Sequence, residues 1–179
     1  MRHVIVLPGN SSKNKAWGEL ILEHFGHQFD SSLMLSYDHW ASGEANINFV
    51  REEEKIRQHV TTLPASTEII LFAKSAGSLL AFLAMYHGVF TPVRCVFFGI
   101  PFDLAATNLF MEGWEPVDSF TLPAVAFHNV EDPVTSYEFT KTTLAKHAPH
   151  ITFIPTHEAD HWYGSVDTYA QNLSTVLES

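Results

Sequence analysis

Residues 67–87, TEIILFAKSAGSLLAFLAMYH, constrain this chain more than any other stretch. Ile69 to Ala73 form an apolar run too short for a helix and rich in β-branched and aromatic side chains, which predicts a buried strand. Leu79 to Tyr86 is a longer run of Leu, Ala, Phe and Met, all suited to a helix. Between them stand Lys74, Ser75, Ala76, Gly77 and Ser78. A strand that turns straight into a helix with Ser at the apex has the geometry of a nucleophile elbow. That turn strains the Ser backbone and demands small residues two before and two after it, here Ala73 and Gly77. It also aims the free N–H groups of the helix N-terminus at whatever binds there. The same five residues fit a plain turn with a locally satisfied hydroxyl, so an acid and a base elsewhere must decide.

Composition narrows the setting. The chain has 179 residues, 46% of them hydrophobic, enough for a single domain over 1–179 with a full core. A formal net charge of −10 with only ten Lys and Arg argues against nucleic acid or an anionic membrane as partner, and mildly against anionic substrates. No apolar run is long enough to cross a bilayer, and the short stretch ending at Pro8-Gly9 reads as a strand rather than a signal peptide. Cys95 is the single cysteine and has no internal disulfide partner, so a reducing, cytoplasmic setting is expected.

In order, strands are expected at His3–Leu7, Ser32–Tyr37, Ile69–Ala73, Val93–Phe98, Ala124–His128 and Ile151–Ile154. Helices are expected from Lys15 to about Phe25 with Asn14 as cap, from Phe49 to Leu63, after the elbow, from Ser136 to His147, and from Tyr163 or Ser165 to Leu177. The charges Arg51, Glu52, Glu53, Glu54, Lys55 and Arg57 read as a solvated helix face. Asp38–Asn46 is expected as a loop and Ile100–Leu122 as an irregular segment. Uniformly apolar strands alternating with helices predict an α/β sandwich with a mainly parallel sheet. Ligands bind such sheets at the carboxyl ends of the strands.

The candidate groups all follow strands. After the fifth comes His128-Asn129-Val130-Glu131-Asp132-Pro133, where Pro fixes Asp132 in a turn. An ordinary turn carboxylate is the competing reading, and Glu131 is the rival acid. After the sixth comes Thr156-His157-Glu158-Ala159-Asp160-His161-Trp162, in which His161 is the expected base and His157 its competitor. The order Ser75, Asp132, His161 suits a triad in which His161 takes the Ser75 proton and Asp132 fixes its tautomer. His157 to His161 also matches the H-E-x-x-H zinc pattern, but that chemistry needs both imidazoles on one helix, and Pro155 with a strand precedes them. An oxyanion hole needs backbone N–H groups from two places. Ala76 supplies one and Asn10 the other, with Gly9 allowing close approach.

The motifs PGN after the first strand, AKSAG at the elbow, EDPV after the fifth strand and ADHW after the sixth make the chain resemble the α/β-hydrolase superfamily. Within it, the chain resembles the short, lidless serine hydrolases of the retinoblastoma-binding-protein type and related small bacterial hydrolases. Pro8 stands where many such relatives carry His. The resemblance implies a six-stranded sheet in the order 2-1-3-4-5-6 with helices on both faces and no large cap. It implies acyl transfer to water through a Ser75 ester, with neither cofactor nor metal. Trp40, Phe102, Leu104, Leu109, Phe110, Trp114 and Trp162 are expected around the pocket, about half of them merely covering the sheet edge. A small or medium uncharged ester is the expected substrate, with thioesters or amides open. The competing expectations are a catalytically silent binding or scaffold protein, and a lyase or transferase on the same scaffold.

Overall fold

The computed structural model describes residues 1–104 and 113–178. Its strands are β1 (Arg2–Leu7), β2 (Ser31–Met34), β3 (Glu68–Lys74), β4 (Arg94–Phe98), β5 (Ala124–Asn129) and β6 (Thr152–Thr156). All pairings are parallel and the order is β2-β1-β3-β4-β5-β6. The helices are α1 (Asn14–Phe25), α2 (His39–Ser42), α3 (Phe49–Val60), α4 (Ala76–Tyr86), α5 (Glu115–Asp118), α6 (Tyr137–His147) and α7 (Val166–Glu178).

Strand side chains alternate between faces, and both faces are covered. Val4, Val6, Ile70, Phe72, Val96 and Phe98 pack with Trp17, Ile21 and Phe25 of α1 and with Tyr169 and Leu173 of α7. Ile5, Leu7, Leu71, Ala73, Cys95 and Phe97 pack on the other side with Ile56 of α3, the apolar α4 and Leu144 of α6. The chain leaves β1 toward one edge through β2, then returns to β3 and proceeds to the other edge. The resulting switch lies between β1 and β3, where Leu7 pairs with Ala73. Crevices at such switches are where open α/β sheets bind ligands.

Several boundaries depart from expectation for identifiable reasons. Asn14 is the first residue of α1 rather than its cap, because its side chain is engaged elsewhere: Nδ2 donates to Ser11 O and Oδ1 accepts from Lys74 Nζ. β2 ends at Met34, although Leu35 and Tyr37 remain buried, and α2 forms inside the expected loop. α3 stops at Val60, and β6 extends to Thr156 through Pro155, which an edge strand tolerates.

The charge run on α3 is not wholly solvated. Glu52 is 1% exposed, accepts the Asp38 N–H at 2.8 Å and pairs with Lys55 Nζ at 2.8 Å. Buried Glu53 meets His87 Nδ1 at 2.9 Å. These carboxylates tie α3 to its neighbours, while Glu54 and Arg57 pair in the open. Ser136 caps α6 as expected, its Oγ accepting the Phe139 N–H.

Candidate active site

The site begins where β3 passes into α4. Ser75 has φ 52° and ψ −127°, a region L-residues rarely occupy. Its N–H donates to Phe98 O of β4 and its carbonyl accepts from Ser78 N–H, which locks the turn on both sides. Its side chain makes no capping bond, although the residue stands at the helix N-cap. Gly77 is required by close approach, since a Cβ there would collide with the carbonyl oxygens of Leu7 and Pro8. Gly9 approaches from β1, with its missing Cβ position 3.2 Å from Ser75 Cβ.

The loop after β1 is held by its own polar groups. Asn10 O accepts from His39 Nε2 at 2.6 Å and from Trp40 Nε1 at 2.7 Å. Asn10 Nδ2 donates to Ala45 O, and its Oδ1 accepts from Ile47 N–H. Tyr37 O–H donates to Pro8 O at 2.6 Å. A backbone fixed this firmly is the kind that can hold an N–H against developing charge without reorganising.

Asp132 and His161 lie in the loops that follow β5 and β6. Asp132 Oδ2 is 2.7 Å from His161 Nδ1 and accepts from Tyr163 O–H at 2.6 Å. Asp132 Oδ1 accepts the Val134 and Thr135 N–H groups at 2.8 and 3.1 Å. An ionised carboxylate only accepts, so Nδ1 of His161 carries the proton and Nε2 the lone pair. Nε2 is buried and has no hydrogen-bond partner among the described residues. The Asp132 side chain is fully buried and that of His161 is 15% exposed. Burial pushes the Asp132 carboxyl up, but the bonds from His161, Tyr163 and Val134 outweigh it and the carboxyl titrates below its usual range. Burial and the Asp132 bond push the Tyr163 phenol up, so it stays a donor.

Neighbouring side chains fix these loops. Asn129 Nδ2 donates to Asp160 O at 2.8 Å, and Asp160 Oδ1 accepts the Trp162 and Tyr163 N–H groups, making the turn that carries His161. Asp103 accepts from Thr135 O–H at 2.7 Å and Ser136 N–H at 3.0 Å, joining the chain after β4 to the Asp132 loop.

Solved structures of other proteins share this architecture. Est1E from Butyrivibrio proteoclasticus, solved with ferulic acid bound, superposes over 99% of this chain and 89% of its own, with a TM-score of 0.76 at 13% identity. Mouse alpha/beta hydrolase domain-containing protein 10 matches over 98% and 88%, with a TM-score of 0.68 at 12% identity. A lipase-esterase related protein from Clostridium acetobutylicum matches over 99% and 93%, with a TM-score of 0.68 at 12% identity. The chain has the α/β-hydrolase fold. No family model matches the sequence, and no curated protein does. Among the described residues no segment builds a large cap on this α/β-hydrolase sheet.

Within that α/β-hydrolase frame, a cavity of about 430 Å³ opens beside Ser75, lined among others by Asn10, Phe49, Ala76, Leu79, Leu104 and Val134. Leu104 is the one described residue of the expected apolar pocket set on that lining. Trp40 does not line the cavity: it donates to Asn10 O and lines a second hollow with Ser11, Ser12 and Glu44. Phe102 is fully buried in the core against Phe82, and Trp114 packs on Phe102 and stacks on His147. Trp162 rests over Lys74 instead. Leu109 and Phe110 lie outside the described residues. His157 is exposed and Glu131 is exposed, while the segment from His157 to Asp160 is a loop rather than a helix.

Sequence reasoning missed Tyr163, Asn129, Asp103, Phe49 and Ile47. Only Tyr163 carried a usable signal, a phenol two residues after the expected base. The others approach the site from elements whose orientation depends on the whole sheet.

Proposed function

We propose that this protein is a serine hydrolase that cleaves a small or medium, uncharged carboxylic ester. One observation carries the reading: His161 offers a buried Nε2 with no partner among the described residues while Asp132 holds its Nδ1 proton, on the same sheet edge as a serine at a strained strand-to-helix turn. In this scheme Ser75 Oγ attacks the acyl carbon as His161 Nε2 accepts its proton. The N–H groups of Asn10 and Ala76 stabilise the oxyanion. His161 then protonates the leaving alcohol, and a water activated by the same Nε2 hydrolyses the Ser75 ester. Asp132 stays ionised and steadies the transient imidazolium.

The cavity supports an uncharged acyl group, because Phe49, Leu79, Leu104 and Val134 present apolar surface next to Ser75. Est1E, which shares the fold, was solved with ferulic acid, a carboxylic acid, bound. The test is hydrolysis of a graded series of p-nitrophenyl esters. Wild type is expected to turn them over and Ser75→Ala to lose at least about a thousandfold in kcat. Equal rates in the two proteins would refute the nucleophile.

A further inference from the structure

A lysine ammonium is strongly hydrated and is almost never fully buried unless paired. Lys74 directly precedes the proposed nucleophile and is 1% exposed. Ile70 and Phe72 face α1 and α7, so the two-residue period puts Lys74 on that face, behind the elbow. There Nζ donates to Asn14 Oδ1 and lies 5.8 Å from the Trp162 ring centroid and 6.0 Å from that of Trp17. The charged groups acting on it are Asp132, after β5, and Asp160, after β6. From α1 it meets the neutral side chains of Asn14 and Trp17.

Two of these contacts lead to segments that carry chemistry. Asn14 Nδ2 donates to Ser11 O and sits 2.9 Å from where a Gly9 Cβ would be, so Asn14 braces the loop that presents Asn10. Trp162 adjoins His161 in the turn closed by Asp160. We propose that Lys74 is a positioning residue for the hydrolytic reaction, its buried ammonium fixing the Asn10 loop through Asn14 and the His161 loop through Trp162 relative to the elbow between them. This rests on the serine-hydrolase reading.

A pH dependence follows. Burial pushes the Lys74 ammonium down to about 8, against the pull of Asp132 and Asp160. Deprotonation removes the cation that attracts the Trp162 ring and the two carboxylates, so the brace loosens as pH rises through that value. The wild-type enzyme should therefore show a falling alkaline limb in kcat.

The experiment measures kcat and KM on a p-nitrophenyl ester, and the rate of fluorophosphonate labelling, across the neutral-to-alkaline range. Lys74→Met keeps the length of the side chain and removes its charge. Asn14→Ala removes the acceptor and leaves the lysine, and circular dichroism checks the fold of both. Lys74→Met should lose roughly tenfold to a hundredfold in kcat with KM within about threefold, and should lack the alkaline limb. Asn14→Ala should lose less and shift the limb to lower pH. A folded Lys74→Met with wild-type kcat and an unchanged limb overturns the proposal. If Lys74→Met does not fold, an Asn14→Ala variant with unaltered kcat and limb overturns it. A wild type that neither labels nor turns over ester overturns the hydrolase reading instead.

Discussion

Each oxygen of the Asp132 carboxylate has its own donors. Oδ1 closes a turn with Val134 and Thr135, while Oδ2 meets His161 and Tyr163. An ionised carboxylate offers about four lone-pair sites, so a turn role and a site role need not compete. Sequence reasoning treats them as rivals because it sees one residue and not four donors. Tyr163 stood two residues beyond the expected base, where its sequence position suited the start of the last helix equally well; in the structure it has a φ of 55° in the turn that Asp160 closes. Tyr163→Phe removes one of the bonds that lower the Asp132 pKa and strands the Asn129 N–H. The expected result is a loss of roughly tenfold in kcat, in line with one charge-assisted hydrogen bond, and an acid limb moved to higher pH. Steady-state kinetics across pH would check it. His161→Ala should lose at least about a thousandfold, whereas exposed His157→Ala should stay within about twofold. The reverse pattern would move the base to His157.

At the scale of elements, the elbow was legible because its steric demand falls on residue size, which a sequence states directly. The carbonyls of Leu7 and Pro8 lie where any side chain at Gly77 would point. Gly77→Ala must therefore push β1 and α4 apart. We expect a destabilisation of at least roughly 1–3 kcal/mol, seen as a lowered urea midpoint. An unchanged midpoint would mean that the β1 loop yields at little cost. The α3 charge run shows the opposite case. Glu52 is buried only because α2 places the Asp38 N–H and α3 places Lys55 beside it, and neither placement follows from hydropathy. None of the described aromatic residues expected in the pocket lines the cavity beside Ser75, for a similar reason. Phe102 and Trp114 turned into the core beneath α4 and α6, and nothing local to a loop fixes which way an aromatic ring turns.

For the whole molecule, apolar strands alternating with helices made the parallel sheet readable, and Asp132 and His161 could be expected on one sheet edge because each lies in the loop after its own strand. Stability against acid belongs to this scale as well. Burial lowers the pKa of His3, helped by the charge of His59, and burial lowers that of His128 despite its bond to Thr135 O. A histidine whose folded pKa lies below its unfolded value favours the folded state above about pH 6.5, and that contribution is lost as pH falls through the folded pKa. Asp132, also lowered, adds a loss with the same sign below about pH 4. Urea midpoints should therefore fall from neutral pH to about pH 5, and His3→Gln should flatten that fall. A midpoint that rises on acidification would contradict the assignment. In the proposed reaction three loops of one sheet edge act on a single bond through Ser75. Fluorophosphonate labelling followed by peptide mapping tests it most directly. One adduct is expected, on Ser75, absent in Ser75→Ala and formed far more slowly in His161→Ala; labelling that persists in Ser75→Ala, or maps to another residue, would rule out Ser75 as the nucleophile.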